Sequence, residues 1–189
     1  VDSNWKNKDI LLHFGAVDWK TEVWINNVKI GTHTGGYTPF SFNITPFLNG
    51  KSQKLVVKVW DPTNDGPQPR GKQVKNPESI WYTPVTGIWQ TVWMEPVSKK
   101  HITNLKTTPD IDRNVVSITP EIEESTEGDI VEITVFDGVK TIASEKAVAG
   151  QSLDIVLTTE GTKISQRDTE LDFAQRCFAK TLSFLVVSA

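Results

Sequence analysis

The chain has 189 residues, a formal net charge of −3, 38% hydrophobic residues and one cysteine. This length fits one large or two small domains, and two is the more usual number for sandwiches of short strands. Lys and Arg are scattered rather than gathered on a basic face, no apolar run approaches the length of a membrane span, and one cysteine excludes an internal disulfide framework. We therefore predict a protein with neither nucleic-acid nor membrane partners.

Alternation of apolar and polar residues with a period of two predicts strands through the first half of the chain. The predicted strands cover residues 10–14, 21–25, 28–32, 40–43, 54–60 and 88–95. Pro96 is expected to end the last of them. Asn26 and Asn27 tolerate the positive φ angles of a tight turn, which predicts a hairpin. Pro46 interrupts the chain after the fourth strand and indicates a turn or one helical turn.

Residues 61–87 break this alternation and are rich in proline and glycine. They contain Pro62, Pro67, Pro69, Pro77 and Pro84, together with Gly66, Gly71 and Gly87. An irregular segment of this length is uncommon inside a compact domain and is usually functional or part of an interface. We therefore expect this loop to carry contacts.

The composition changes after Pro96, where Trp disappears and Thr, Glu, Val and Ile dominate. Strands are predicted over residues 102–107, 115–122, 129–136, 141–148 and 152–157, with a hairpin turn at 137–138. Short strands at this spacing are typical of an immunoglobulin-like sandwich. The domain boundary is placed near residues 97–100.

The aromatic residues carry the strongest signal for function. All seven tryptophans lie in the first half of the chain, at positions 5, 19, 24, 60, 81, 89 and 93. Trp occurs in interfaces and sugar platforms, but it is most often packed in a core. A core position is therefore the favoured interpretation for each of the seven. Clusters of aromatic and polar residues at 15–19, 35–40 and 79–82 fit a sugar-binding edge or a packed domain interface, and the sequence leaves both open.

Catalytic and metal-binding patterns are missing from the sequence. The three histidines have no metal-ligand spacing, no glycine-rich phosphate loop opens a helix, and no nucleophile elbow is present. Glycosidases use two rigidly held carboxylates, whereas most carboxylates here alternate along strands as on a solvated surface. Asp18, Asp61 and Glu78 stand out because they flank the aromatic clusters, although turn capping or a surface charge is the favoured explanation for each of them.

Four segments resemble the N-terminal sugar-binding domain of family-2 glycoside hydrolases, the group of β-galactosidases, β-glucuronidases and β-mannosidases. They are residues 12–19 (Leu-His-Phe-Gly-Ala-Val-Asp-Trp), 23–31 (Val-Trp-Ile-Asn-Asn-Val-Lys-Ile-Gly), 35–45 (Gly-Gly-Tyr-Thr-Pro-Phe-Ser-Phe-Asn-Ile-Thr) and 87–93 (Gly-Ile-Trp-Gln-Thr-Val-Trp). Together with residues 68–73 (Gln-Pro-Arg-Gly-Lys-Gln), they look most similar to bacterial β-galactosidase-like members.

The resemblance implies an all-β chain: a galactose-binding-like jelly roll over residues 1–98 that starts late, then an immunoglobulin-like sandwich over residues 99–189. It further implies a (β/α)₈ barrel with two catalytic glutamates as partner, and a β-linked carbohydrate as ligand. No barrel and no Asn-Glu acid/base motif occur here, so we expect the chain alone to be inactive, without a metal or other cofactor. A periplasmic or extracellular location is expected rather than a cytoplasmic one.

The candidate residues for the sugar site or the barrel interface follow from the clusters and the resemblance. Residues 78–82 (Glu-Ser-Ile-Trp-Tyr) are similar to a family segment that reaches over the substrate pocket, with Glu in place of the family's Asp. The candidates are Asp18, Trp19, Tyr37, Asp61, Arg70, Glu78, Trp81 and Tyr82.

Three functions remain in competition at this stage. The leading one is a structural, accessory part of a glycosidase, which barrel-coding sequence downstream in the gene would establish. A free-standing carbohydrate-binding module is the second, and binding of a simple sugar by the isolated chain would favour it. An adhesion or scaffold protein of two sandwiches is the third, and it predicts a protein partner.

The C-terminal tail diverges from the family, which closes the second domain with a strand containing Trp, Ser-Pro and Pro-x-Leu-Tyr. Back-translation of residues 170–189 with the frame moved forward by one nucleotide permits Asn-Trp-Thr-Ser-Pro-Asn-Asp-Ala-Ser-Pro-Lys-Leu-Tyr. We therefore expect the segment from about residue 163 to be out of frame, Cys177 to have no role, and residues 182–187 to pack poorly or form a misplaced strand. The nucleotide sequence tests this expectation.

Overall fold

The computed structural model describes residues 5–110, 112–113, 115–137, 139–156 and 182–187. No described residue lies in an α-helix, so no described helix is long and apolar enough to cross a membrane. The predicted all-β class is confirmed. The strands are β1 (Asp9–Phe14), β2 (Val17–Asp18), β3 (Lys20–Ile25), β4 (Val28–Thr34), β5 (Phe40–Asn43), β6 (Leu55–Trp60), β7 (Gly87–Ile88), β8 (Val92–Val97), β9 (Ile102–Asp110), β10 (Val115–Ile122), β11 (Ile130–Asp137), β12 (Lys140–Val148), β13 (Leu153–Val156) and β14 (Leu182–Val187).

The chain divides into two compact units, Val1–Ser98 and Lys99–Ala189. In the first unit, the sheets β5-β1-β8 and β4-β3-β6 face each other, and the short pair β2-β7 lies beside them. Alternate residues of the central strands β1 and β3 point into one shared apolar core. The fully buried members of this core are Ile10, Leu12, Phe14, Val17, Val23, Ile25 and Ile44.

The predicted hairpin between β3 and β4 forms at Asn26 and Asn27, whose φ angles are 48° and 69°. The Asn26 side chain also ties this turn to the next part of the chain, because its Oδ1 accepts a hydrogen bond of 3.1 Å from the Lys54 amide and its Nδ2 donates to the Phe47 carbonyl at 3.3 Å. Pro46 lies in a short 3₁₀ turn, Thr45–Phe47, as one of the two predicted alternatives. Local chemistry is therefore sufficient to place both turns.

The strand predicted over residues 88–95 is wrong in two respects. It divides into β7, which pairs with β2, and β8, which pairs with β1, because residues 89–91 cross from one partner strand to the other. Pro96 also lies inside β8, opposite Ile10, instead of ending it. Ile10 bonds through its N–H to Thr45 Oγ1 and through its carbonyl to Ile44, both on the β5 side. Pro96 therefore faces the edge of β8 at which none of the described strands pairs, so its missing N–H breaks no hydrogen bond of the described sheet.

The prediction that tryptophans occupy the core is wrong for at least four of the seven. Trp60, Trp81, Trp89 and Trp93 are all exposed. Trp5 packs against the periphery of the first core rather than within it. Aliphatic residues and Phe14 fill the narrow space between the sheets, which leaves the large indoles at strand ends and on outer faces.

The second unit is a sandwich of the sheets β13-β10-β9 and β12-β11-β14. Its buried core consists of Val116, Ile118, Val131, Ile133, Val135, Leu153 and Ile155. The predicted strand 115–122 has the observed bounds, and the other four differ from β9, β11, β12 and β13 only at their ends. Buried Asp129 accepts a hydrogen bond from the Lys100 ammonium at 2.7 Å and from the Thr126 amide at 2.7 Å.

The divergent tail lies mostly outside the described residues, including Cys177 and all of residues 157–181. The described part, β14, pairs antiparallel with β11 in unbroken register from Ile130↔Val187 to Val135↔Leu182. The poor packing or misplacement of this strand, and the frameshift near residue 163, stay predictions.

Candidate functional site

One edge of the first unit brings together side chains that are far apart in sequence. The pairing of β2 with β7 sets Asp18 opposite Gly87, whose φ of 124° suits glycine. Residues 35–37 and the loop 61–87 close around the same point. We call Asp18, Tyr37, Asp61, Thr86 and Trp89 the edge cluster.

Asp18 is the least solvated carboxylate of the edge cluster. Its Oδ1 atom is buried and has no hydrogen-bond partner among the described residues. A Cβ atom at Gly36 would lie 2.7 Å from that oxygen, so only glycine allows the backbone to approach so closely. Burial raises the pKa of the Asp18 carboxyl, and the negative charge of Asp61 raises it further. Asp18 is thus held in a place that favours its protonated form or a donor hydroxyl beside it.

Asp61 joins the two ends of the loop 61–87. Its Oδ1 accepts hydrogen bonds from the Thr63 amide at 2.8 Å and from Gln68 Nε2 at 3.4 Å. Its Oδ2 accepts a hydrogen bond from Thr86 Oγ1 at 3.1 Å. Gln68 also donates to the Thr63 carbonyl at 2.7 Å, and both residues are buried. The base of the loop is therefore fixed by polar contacts, of which the one between Gln68 and Thr63 is buried, while the far part of the loop is exposed.

Trp89 and Tyr37 form the aromatic side of the edge cluster. Trp89 Nε1 donates a hydrogen bond of 2.7 Å to the Gly36 carbonyl. The Tyr37 and Trp89 rings meet edge to face with centroids 5.8 Å apart. A cavity of about 290 Å³ lies among Asp18, Tyr37, Gln73, Thr86 and Trp89. Aromatic walls with a carboxylate and an amide at one end suit a ligand that has both apolar faces and hydroxyl groups.

Trp19 and Asp61 border a second cavity of about 470 Å³, which Trp60, Pro62, Gln68 and Lys75 also line. The two cavities share no lining residue. Asp61 lines the second cavity and contacts the first through its hydrogen bond from Thr86. Trp19 and Tyr37 therefore do not share one cavity, although the sequence placed them in the same candidate set.

The far part of the loop presents a row of exposed apolar side chains. Tyr82 is fixed by backbone hydrogen bonds of 2.8 Å to the Lys72 carbonyl and 3.1 Å from the Val74 amide. Exposure of Ile80, Trp81 and Tyr82 reaches 61%, 42% and 63%. The Lys72 ammonium lies 6.0 Å from the centre of the Tyr82 ring. The backbone of these residues is thus ordered while their side chains remain free to contact a partner.

Glu78 and Arg70 lie on the same loop but outside the edge cluster. The Glu78 carbonyl accepts a hydrogen bond from the Trp81 amide at 3.1 Å, and its side chain is exposed. The Arg70 carbonyl accepts a hydrogen bond from the Gln73 amide at 3.2 Å. Both contacts are made by the backbone, so the structure gives neither side chain a role in holding the loop.

The cavity beside the edge cluster is lined by three residues outside the predicted candidate set: Gln73, Thr86 and Trp89. Trp89 belongs to the segment 87–93 that carries the family resemblance, so its indole was a detectable signal. Gln73 ends the segment 68–73, which also carries the resemblance. Thr86 had no such signal, because only the closure of the loop brings it to Asp61. Among the described residues, no three His, Cys, Asp or Glu side chains gather where they could hold a metal ion.

The fold and the edge cluster define a class of β-sandwich domains that present carboxylates and aromatic rings at one end of a sandwich. Residues 1–95 match the family model described as "Glycosyl hydrolases family 2, sugar binding domain". The chain belongs to glycosyl hydrolase family 2, as the resemblance in its sequence segments predicted.

Characterised relatives and solved structures agree with this assignment. The chain is 28% identical over 178 residues to a β-galactosidase from Thermoanaerobacter pseudethanolicus, with 93% of this chain and 21% of the relative aligned. It is 28% identical over 176 residues to a β-glucuronidase from Formosa agariphila, covering 82% of this chain and 18% of the relative. The crystal structure of Bacteroides uniformis β-glucuronidase superimposes with a TM-score of 0.57 at 26% identity, covering 82% of this chain and 20% of that one.

The chain therefore spans about a fifth of the length of the relatives it matches.

Proposed function

We propose that this chain is the non-catalytic N-terminal region of a β-galactosidase-like family-2 glycosidase. In this proposal, residues 1–98 are the sugar-binding jelly-roll domain and residues 99–189 the immunoglobulin-like domain. The first domain packs on a (β/α)₈ catalytic barrel and shapes the sugar site at which a β-glycosidic bond is hydrolysed. The barrel supplies the two catalytic carboxylates, and this chain supplies a surface that packs on the barrel and borders the sugar site.

The observation that carries the proposal is the construction of the loop 61–87. Asp61 fixes its base through three hydrogen bonds to Thr63, Gln68 and Thr86. Its far part exposes Trp81 and Tyr82 on an ordered backbone. A contiguous exposed apolar patch on a rigid support is typical of a surface that another domain covers. Preorganised loops on a sandwich also commonly complete a binding site on a neighbour.

The edge cluster supports a second part of the proposal, which concerns the sugar. Asp18 and Asp61 can accept hydrogen bonds from ligand hydroxyls, while Tyr37 and Trp89 offer apolar ring surfaces. Asp18 is suited to this task because its Oδ1 has no partner within the described part of the chain. A hydroxyl group donating to that oxygen would satisfy it.

The isolated chain tests the assignment of catalysis to another domain. Purified chain is assayed against aryl β-galactoside, β-glucuronide and β-mannoside, and no turnover is expected. Turnover that follows the protein peak through purification would overturn the proposal. A Glu78→Ala variant would then show whether that exposed carboxylate is responsible.

The barrel contact is tested in the full-length enzyme. Trp81→Ala is expected to lower kcat/KM or to weaken assembly, because it removes an exposed aromatic anchor. Val131→Ala is the matched control, since it removes apolar volume from the core of the second unit and leaves the loop intact. A Trp81→Ala enzyme with unchanged kinetics and unchanged stability would contradict the contact.

A free-standing carbohydrate-binding module is the second candidate function, and the cavity beside Asp18 and Trp89 is the observation that favours it. It predicts that the isolated chain binds galactose or glucuronic acid on its own, and that Trp89→Ala abolishes binding. The leading proposal predicts that simple sugars bind only when the barrel is present. Calorimetric titration of the isolated chain separates the two.

A further inference from the structure

The outer face of the sheet β4-β3-β6 carries a pattern that packing does not explain. Along β3, the inward residues Thr21, Val23 and Ile25 are buried, so their neighbours point outward. The same alternation on β6 turns Val57 and Val59 inward. We call the outward residues Lys20, Glu22, Trp24, Lys29, Lys58 and Trp60 the lysine-tryptophan face.

Glu22 organises the charges at the centre of this face. Its Oε1 lies 2.7 Å from the Lys29 ammonium, and its Oε2 lies 3.9 Å from the Lys58 ammonium. The hydrogen bond from Lys29 lowers the pKa of the Glu22 carboxyl, so this group is ionised in neutral solution. With Lys20 included, three cationic side chains stand around one carboxylate. The face therefore has an excess of positive charge in a protein whose net charge is −3.

Two tryptophans mark the ends of the lysine-tryptophan face. Trp24 is half-buried, and the Lys29 ammonium lies 5.8 Å from the centre of its ring. Trp60 is 56% exposed and pairs across the strands with Lys20. Since Trp24 lies opposite Val56, four residues before Trp60, the strand geometry separates the two Cα atoms by roughly 14 Å. This distance accommodates several linked sugar rings.

An open cavity of about 310 Å³ lies on this face, and its lining residues are Lys20, Glu22, Lys58 and Trp60. It combines a flat aromatic surface with two ammonium groups and one carboxylate. Aromatic rings stack on the apolar faces of sugars, and ammonium groups recognise carboxylates. A neutral sugar could stack on the Trp60 ring, but it would offer no carboxylate to the ammonium groups of Lys20 and Lys58.

We propose that the lysine-tryptophan face binds an acidic oligosaccharide, one whose sugar rings carry carboxylates, with Trp60 as the stacking platform and Lys20 and Lys58 as the carboxylate contacts. This site is additional to the edge cluster and does not depend on the proposed packing against a barrel. Its role would be to hold a polymeric, uronate-containing chain against the protein.

The test uses the complete 189-residue chain and a tetrasaccharide containing glucuronic acid. Calorimetric titration is expected to show binding that weakens as salt is raised. The same tetrasaccharide with its carboxyl groups reduced to alcohols should bind at least about tenfold more weakly, because the charge-assisted contacts are gone.

Two variants assign the binding to this face. Trp60→Ala is expected to weaken binding by about tenfold through loss of stacking, and Lys58→Gln by about threefold to tenfold through loss of one charged contact. Lys146→Gln is the matched control, because Lys146 lies 3.4 Å from Glu132 in the other unit and is exposed in the same way as Lys58. It should leave the affinity unchanged. Far-UV circular dichroism checks that each variant is folded.

Three results would overturn the proposal. The first is the absence of any binding of the acidic tetrasaccharide at millimolar concentration. The second is equal binding of the acidic and carboxyl-reduced forms. The third is equal or tighter binding of a single-stranded DNA oligonucleotide of the same charge, since stacking and phosphate contacts would then define a nucleic-acid surface. Because neither Lys58 nor the probe involves the loop 61–87, failure here leaves the proposed barrel contact standing.

Discussion

The two units of this chain share one architecture but differ in what they do with their surfaces. Both bury aliphatic residues between two small sheets. In the described part of the second unit, outward residues form short polar pairs, such as Thr134 with Ser144 at 3.0 Å and Lys146 with Glu132 at 3.4 Å, beside exposed Val148 and Val156. The first unit exposes large aromatic rings and a long supported loop. Among the described residues, large exposed aromatic rings occur in the first unit, which is where we propose that recognition takes place.

Spectroscopy can follow the two units separately. All seven tryptophans and both tyrosines lie within residues 1–98. Intrinsic fluorescence therefore reports the first unit alone, while far-UV circular dichroism reports both. Comparing the two signals therefore tests how far the two units unfold independently.

The largest expected effect comes from removing the central aromatic residue of the first core. Phe14 is fully buried and stacks on Phe40 with ring centroids 4.8 Å apart. Phe14→Ala should destabilise the first unit by about 3–5 kcal/mol, measured as a shift of the fluorescence-detected urea transition. Ile133→Ala, at a fully buried position in the second unit, should cost about 2–5 kcal/mol there. Independence of the units fails if Ile133→Ala moves the fluorescence transition as far as Phe14→Ala does.

A smaller effect is expected at the base of the loop. Asp61→Ala removes the acceptor of the buried Thr63 amide and should destabilise the loop by about 1–3 kcal/mol. Faster tryptic cleavage at Arg70, Lys72 or Lys75 measures this opening. Asp65→Ala removes only an exposed ion pair with Lys75, so it should change cleavage little. Equal cleavage of the two variants would show that Asp61 does not hold the loop.

The response to pH should have opposite signs at two aspartates, one in each unit. The raised pKa of Asp18 means that its contribution to stability is fully present below the unfolded pKa of about 3.9 and is lost as the pH rises through the folded value. The hydrogen bonds from Lys100 and Thr126 lower the pKa of Asp129, so its contribution is present at neutral pH and is lost as the pH falls through the folded value.

Asp18→Asn should therefore be more stable than the parent chain at pH 7, and Asp129→Asn less stable. The Asp18 difference should shrink as the pH falls through the raised folded pKa and change no further below about 3.9, whereas the Asp129 difference should begin to shrink only below about 3.9. Urea midpoints measured between pH 3 and pH 7, by fluorescence for the first variant and by circular dichroism for the second, check the signs. An Asp18→Asn chain that loses stability at pH 7 would show that this carboxylate is needed in its charged form.

The smallest effect is expected on the polar surface of the second unit. Glu132→Gln weakens an exposed ion pair with Lys146 and should change the unfolding free energy by less than about 0.5 kcal/mol. Urea denaturation followed by circular dichroism measures it. A loss well above this value would mean that the polar pairs of this unit contribute more than a solvated covering, and the contrast between the two surfaces would be weaker than described.

The preferences of individual residues made many strands and turns predictable, whereas the pairing of strands distant in sequence could not be predicted. Asn26 and Asn27 specify their hairpin through their own conformational preferences. Whether Pro96 ends β8 or lies inside it depends on which edge of β8 is unpaired among the described strands, and no local pattern in the sequence specifies that edge. Asp18 and Asp61 could be selected individually because they flank aromatic residues. Their proximity follows from the antiparallel register of β3 with β6, which pairs Lys20 with Trp60, and no local pattern specifies that register.

Pro96 also affects how copies of this protein associate with one another at high concentration. Among the described strands, β8 pairs with β1 alone, and exposed strand edges recruit strands from other molecules. A second chain aligning there would meet a position that has no N–H to offer. Intermolecular sheet growth along β8 is therefore interrupted beside Trp93 and Met94, the apolar residues where it would otherwise begin. The proline that breaks the rule for ending a strand thus acts as a guard against aggregation.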